Sequence, residues 1–261
     1  MKYILFYPLA FVFMIGSCSK TIRQKDEPLT IKPSSTENQK NDTSSSDNLR
    51  LLFVGNSLTY TNDLPALLKE LGEHDSIKVG YKTILLPNYA LEDHWDDGKV
   101  QEEIETGQYD FVIAQQGPSA LPESQVLLLR GATLFASVCK KHARTKLALY
   151  MVWPSSSRSF DLDNVIYSYT QAALKTESLL CPAGLAWKYA WQEDAGLPLY
   201  GPDGFHPSLT GSVLAALTIY GALRNKKDFK FIQYSQSSWK SEISEAKFET
   251  LKQAALKALD K

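Results

Sequence analysis

Cysteine, histidine and net charge are all scarce in this chain, and each scarcity removes a class of function. Its 261 residues hold three cysteines and four histidines, and 28 Lys and Arg against 29 Asp and Glu leave a net charge of −1. No CxxC pair and no spaced His/Cys cluster occurs, so no metal centre is indicated. Near-zero charge gives no field suited to nucleic acid, and there is no acidic tail. Besides Cys18 only Cys139 and Cys181 remain, for which two buried free thiols are expected ahead of a disulfide. What is present is an ordinary globular balance, 44% hydrophobic and 22% charged.

The N-terminal segment departs from that balance. Met1-Lys2 is a positive start, and Tyr3 to Ile15 is an apolar stretch too short for a comfortable membrane span. It ends Ile15-Gly16-Ser17-Cys18, two small residues before a cysteine, which resembles the lipobox of bacterial lipoproteins. That resemblance implies a signal peptide over residues 1–17 and a lipidated Cys18 as the new N-terminus. The protein would then be anchored in the bacterial cell envelope, facing the periplasm or the exterior. The blander alternative is an ordinary cleaved signal peptide that contains a cysteine. Residues 18–48 are rich in Ser, Thr, Asn, Gln, Lys and Pro, too polar to offset their ordering entropy, and read as a flexible tether.

Residues 49–261 alternate short apolar runs with helical periodicities, which predicts an α/β domain with a parallel sheet of about five strands. Strands are expected at Leu51–Val54, Val79–Leu86, Phe111–Ala114, Leu147–Val152 and Ala183–Trp187. Helices are expected at Leu64–Leu71, Val100–Glu105, Glu123–His142, Val165–Leu180, Leu209–Leu223 and Ser241–Leu259. In such a sheet the ligand sits beyond the carboxyl ends of the strands. Ser57, Asn88, Gln115 to Ser119, and the loop holding Asp203 and His206 all fall on that rim.

Two segments carry chemistry. Leu51-Leu52-Phe53-Val54-Gly55-Asn56-Ser57-Leu58-Thr59 is an apolar run ending in a turn that presents a serine. Asp203-Gly204-Phe205-His206-Pro207-Ser208 places a carboxylate and an imidazole three residues apart. Together they supply a nucleophile, a general base and an orienting acid. Taken singly, Ser57 could be a helix cap and Asp203 a turn residue. The α/β-hydrolase elbow, G-x-S-x-G, does not fit, because Thr59 stands where its second glycine would be.

On these blocks the chain resembles the SGNH (GDSL-type) hydrolases from Leu51 to about Leu223. The resemblance implies a three-layer α/β/α sandwich of flavodoxin-like type and cofactor-free hydrolysis of acyl esters. It implies Ser57 as nucleophile, His206 as base and Asp203 as its orienting partner. Asn88 stands where the family places a glycine whose N–H serves the oxyanion hole, and asparagine tolerates positive φ. In the third block either the Gln116 side-chain amide or Ser119 is the other donor, with Gln116 favoured because an amide is a fixed donor. The expected substrate is a glycan or small molecule bearing an acyl group, acetyl foremost. A lipase or thioesterase acting on longer chains and a carbohydrate-binding pseudo-esterase are the alternatives. His94 is read as pocket lining or a surface cap, His74 and His142 as solvated surface, and Trp153 and Arg158 as substrate contacts or an exposed loop.

Overall fold

The computed structural model describes residues 48–106 and 108–261, so the expected signal peptide and Cys18 lie outside the described residues. Leu51 to Val54 are buried without interruption, the pattern of a strand covered on both faces, and they form the centre of β1 (Asn48–Gly55). β1 lies inside a parallel sheet with β2 (Lys78–Leu85), β3 (Phe111–Ala114), β4 (Lys146–Tyr150) and β5 (Leu179–Cys181), in the order β2-β1-β3-β4-β5. β1 is flanked by β2, with Gly55 opposite Leu85, and by β3, with Val54 opposite Ala114. The chain winds outward from β1 to β2, then returns across β1 to β3. The cleft between the carboxyl ends of β1 and β3 is therefore the topological switch point, where open α/β sheets bind ligands.

Helices cover both faces of the sheet. After α1 (Ser57–Tyr60), α2 (Leu64–His74) packs on β2. α3 (Leu91–Asp96), α4 (Lys99–Thr106), α5 (Pro122–Cys139) and α6 (Leu162–Thr176) form one packed set, with α5 and α6 on β4. α7 (Ala183–Glu193), α8 (Leu209–Arg224) and α9 (Glu245–Leu259) form the other with α2. α8 is apolar nearly all round and is buried on all sides, as such a helix must be. The three-layer sandwich expected from the sequence is present.

Two expected boundaries are corrected. Ala183–Trp187 is the start of α7, and the fifth strand is Leu179–Cys181, whose first two residues the helical periodicity places at the end of a helix. α6 stops at Thr176 because Glu177 adopts the left-handed conformation (φ 56°) as its C-cap, a turn that Glu does not advertise. α3 was not anticipated at all. Cys139 and Cys181 are buried and unpaired, and burial raises the Cys139 thiol pKa to about 12.

Candidate active site

β1 and β3 are tied at their ends by one buried side chain, Gln115. Its Oε1 accepts the Asn56 N–H (3.0 Å) and the Thr59 hydroxyl (2.9 Å), and its Nε2 donates to Asn56 Oδ1 (3.0 Å) and Gln116 O (2.7 Å). All four bonding positions of the amide are filled, so the cost of burying it is offset by protein hydrogen bonds. Gly55 permits this approach, since a Cβ there would lie 2.5 Å from Gln115 Oε1. Asn56 in turn caps α1 by accepting the Leu58 N–H (3.1 Å) and donates Nδ2 to Tyr89 O (3.0 Å). The helix cap is thus Asn56 and not Ser57. Ser57 is the first helical residue, and its hydroxyl and N–H have no partner among the described residues.

Asn88, Gln116 and Ser119 line the serine's pocket, and two of them have a donor to spare. Asn88 adopts φ 63°, the left-handed backbone its residue type tolerates, and its N–H has no partner among the described residues. Gln116 is buried, and its Oε1 accepts the Leu91 N–H (3.2 Å) while its Nε2 donates to Ser119 Oγ (3.0 Å). A primary amide has two N–H bonds, so one remains uncommitted. The Ser119 hydroxyl donates to Gly117 O (3.0 Å), which spends its single proton. Ser119 therefore holds Gln116 and has no donor of its own to offer. Ser57, Asn88, Gln116 and Ser119 line one cleft of about 470 Å³.

The loop between α7 and α8 carries the other two residues. His206 Nδ1 lies 2.5 Å from Asp203 Oδ2, while Asp203 Oδ1 accepts the N–H groups of Phe205 (2.9 Å) and His206 (3.0 Å). Asp203 is thus both a turn residue and the partner of the imidazole. Its hydrogen bond to the ring, then that from Phe205 N–H, lowers its carboxyl pKa from 3.8 to about 2. An anionic Asp203 makes Nδ1 the donor and leaves Nε2 as the acceptor. Gly204 is required in this turn: its φ is 68°, and a Cβ would meet Ser156 Oγ at 2.4 Å. Ser208, not His206, caps α8 by accepting the Gly211 N–H (3.1 Å).

Asp203 and His206 line a second cleft beside the first, and Phe205 between them reaches into the Ser57 cleft. No hydrogen bond joins Ser57 to His206. The direct polar link between their segments, among the described residues, is Asn62, which the sequence reading overlooked. Held at φ 55°, it donates Nδ2 to Pro207 O (3.0 Å) and Ser212 Oγ (2.9 Å).

No family model and no curated protein matches the chain. Solved structures do. A protein described as a candidate SGNH hydrolase, from Slackia heliotrinireducens, is 24% identical with a TM-score of 0.58, over 67% of this chain and 99% of that one. A DUF4886 family protein from Bacteroides uniformis is 17% identical with a TM-score of 0.68, over 81% of this chain and 95% of that one. A catalytic mutant of an acetylxylan esterase from Geobacillus stearothermophilus is 16% identical with a TM-score of 0.51, over 71% and 96%. The chain has the SGNH hydrolase fold.

Within this SGNH fold the remaining histidines and aromatics find their places. His94 is buried beneath the turn that presents Ser57, where Nε2 contacts Gly55 O at 2.8 Å; since a carbonyl only accepts, Nε2 carries the proton. Burial lowers its pKa and keeps the ring neutral, so it supports the floor of the site and is not a surface cap. His74 packs edge-on against Trp239 and is not a solvated surface residue. Trp153 is fully buried, stacked on Trp187 at 3.5 Å, and donates Nε1 to Phe205 O (3.1 Å). It supports the histidine loop and does not line the Ser57 cleft, whereas Arg158 does.

Proposed function

We propose that the chain is an SGNH-type serine esterase that removes an acyl group, acetyl foremost, from a glycan or small molecule. The observation that carries this reading is the pairing of Asp203 with His206 Nδ1 beside an unpartnered Ser57 hydroxyl at the sheet's switch point. Ser57 Oγ attacks the ester carbonyl as its proton passes to His206 Nε2. The developing oxyanion takes hydrogen bonds from the N–H groups of Ser57 and Asn88 and from the free Nε2–H of Gln116. The imidazolium, stabilised by Asp203, protonates the departing alcohol. Water, activated by His206, then cleaves the acyl-serine and returns the enzyme.

The neighbours support the ester-hydrolysing class, for one is an acetylxylan esterase and another, from Enterococcus faecalis, a lipase/acylhydrolase with a TM-score of 0.53 at 13% identity. Leu121 and Leu127, both exposed on the cleft wall, favour a second reading in which the acyl chain is longer. The lipobox-like Ile15-Gly16-Ser17-Cys18 supports anchoring to an envelope membrane through Cys18, which would bring the enzyme to envelope glycans. A fluorophosphonate probe should label Ser57, and labelling should vanish in Ser57→Ala. p-Nitrophenyl esters of increasing chain length decide between the acetyl and long-chain readings.

A further inference from the structure

The cleft beside Ser57 is far larger than an acetyl group requires, so most of its volume is left for the alcohol. Its lining is neutral with one exception: Arg158 is the charged residue among those that line it. No carboxylate of the described residues shares that wall.

Arg158 is presented, not stored. Its Nη2 is paired with Asp161, whose side chain is only 8% exposed, while the Arg158 side chain is 48% exposed. The buried carboxylate holds one corner of the guanidinium from behind and leaves its other N–H groups uncommitted. Phe160, 75% exposed, lies under the guanidinium with its ring centroid 5.5 Å from Cζ, a cation–π contact that adds a second hold on the group besides the Asp161 pairing. The segment itself is anchored to the histidine loop, because Ser156 N–H donates to Gly204 O (2.7 Å). A half-exposed, pre-oriented guanidinium on the rim of a neutral cleft is suited to a planar anion, which it can bind through two parallel charge-assisted hydrogen bonds.

Building on the esterase reading, we infer that Arg158 makes this site selective for esters whose alcohol carries a carboxylate, an O-acylated acidic saccharide being the fitting class. The alcohol is the carrier because the acyl carbonyl must sit among the Ser57, Asn88 and Gln116 donors, whereas Arg158 belongs to the rim formed by the loop after β4.

The test compares kcat/KM for O-acetylated glucuronic acid with that for O-acetylated glucose, which differs only in the carboxylate, with p-nitrophenyl acetate turnover and fluorophosphonate labelling of Ser57 as reporters of esterase competence. A charge-assisted bidentate contact predicts a preference of about 10- to 100-fold for the uronate ester, weakening as salt is raised. The uronate-to-glucose ratio should collapse toward one in Arg158→Gln, recover in part in Arg158→Lys, and fall below one in Arg158→Glu. Should Arg158→Gln fail to fold because Asp161 is left unpaired, the Arg158→Gln/Asp161→Asn double variant removes both charges and must show the same collapse. A wild-type ratio near one with Ser57 labelled, or a ratio that survives Arg158→Gln, overturns the inference and leaves the esterase standing. No turnover of any ester and no labelling overturns the esterase reading itself.

Discussion

The division of labour between Gln116 and Ser119 gives the sharpest quantitative test of the proposed oxyanion hole. If the free Nε2–H of Gln116 meets the oxyanion, Gln116→Ala removes a donor that acts only in the transition state. Such a loss is worth about 2.7–4 kcal/mol, or about 10²–10³ in kcat, with KM little changed. Gln116→Glu should be worse, because the oxygen replacing Nε2 would face the developing negative charge. Ser119→Ala removes only the neutral hydrogen bond that orients the amide, worth about 0.5–1.5 kcal/mol, while Leu91 N–H still holds the other end. Its kcat should therefore fall no more than about tenfold. Stability separates the roles further. Gln116→Ala leaves the buried Leu91 N–H unsatisfied, at a cost of about 1–3 kcal/mol, and Tm should fall by about 2–4 °C for each of these. The assay is p-nitrophenyl acetate hydrolysis under saturating and limiting substrate, with thermal melts alongside. A Ser119→Ala enzyme slower than Gln116→Ala would refute the reasoning and make Ser119 the donor.

Ser57→Ala and His206→Ala should each lower kcat by several orders of magnitude, with Asp203→Asn milder, since nucleophile and base act as a unit; near-normal turnover in Ser57→Ala would end the serine-esterase reading. The Asp203 carboxyl is depressed to about 2 from 3.8, so its stabilising bond is intact above the higher value and is lost only as pH falls toward the lower. The acid limb of the activity profile should accordingly track imidazole protonation read by NMR, and an acid limb that coincides with Asp203 titration would contradict this. Asn62→Gly keeps the left-handed backbone but cuts the link to Pro207, so it should reduce kcat and the labelling rate of Ser57 by about tenfold, the worth of one or two hydrogen bonds, with KM unchanged. Cys18→Ala should move the protein from the membrane fraction to the soluble fraction, and unchanged fractionation would remove the lipid anchor from the proposal.

The sequence by itself determined the layered α/β architecture, because alternation of short apolar runs with helical periods is a local signal repeated along the chain. It also singled out Ser57, Asp203 and His206, whose residue types and spacing belong to few other arrangements. It did not resolve Leu179–Cys181 from the helix before it, nor Ala183–Trp187 from a strand, since a short apolar run has no period of its own and Glu177 gives no sign of a left-handed turn. Other features existed only once distant segments met. Whether Gln116 or Ser119 has a proton to give depends on Leu91 and Gly117 as neighbours. That Asn56 caps α1, and so frees Ser57, depends on Gln115 at the end of another strand. Asn62 reads as an ordinary turn residue until Pro207 lies opposite its amide. Hydrogen-bond satisfaction is a property of neighbours in space, and those neighbours are set by the sheet order, which no local pattern encodes.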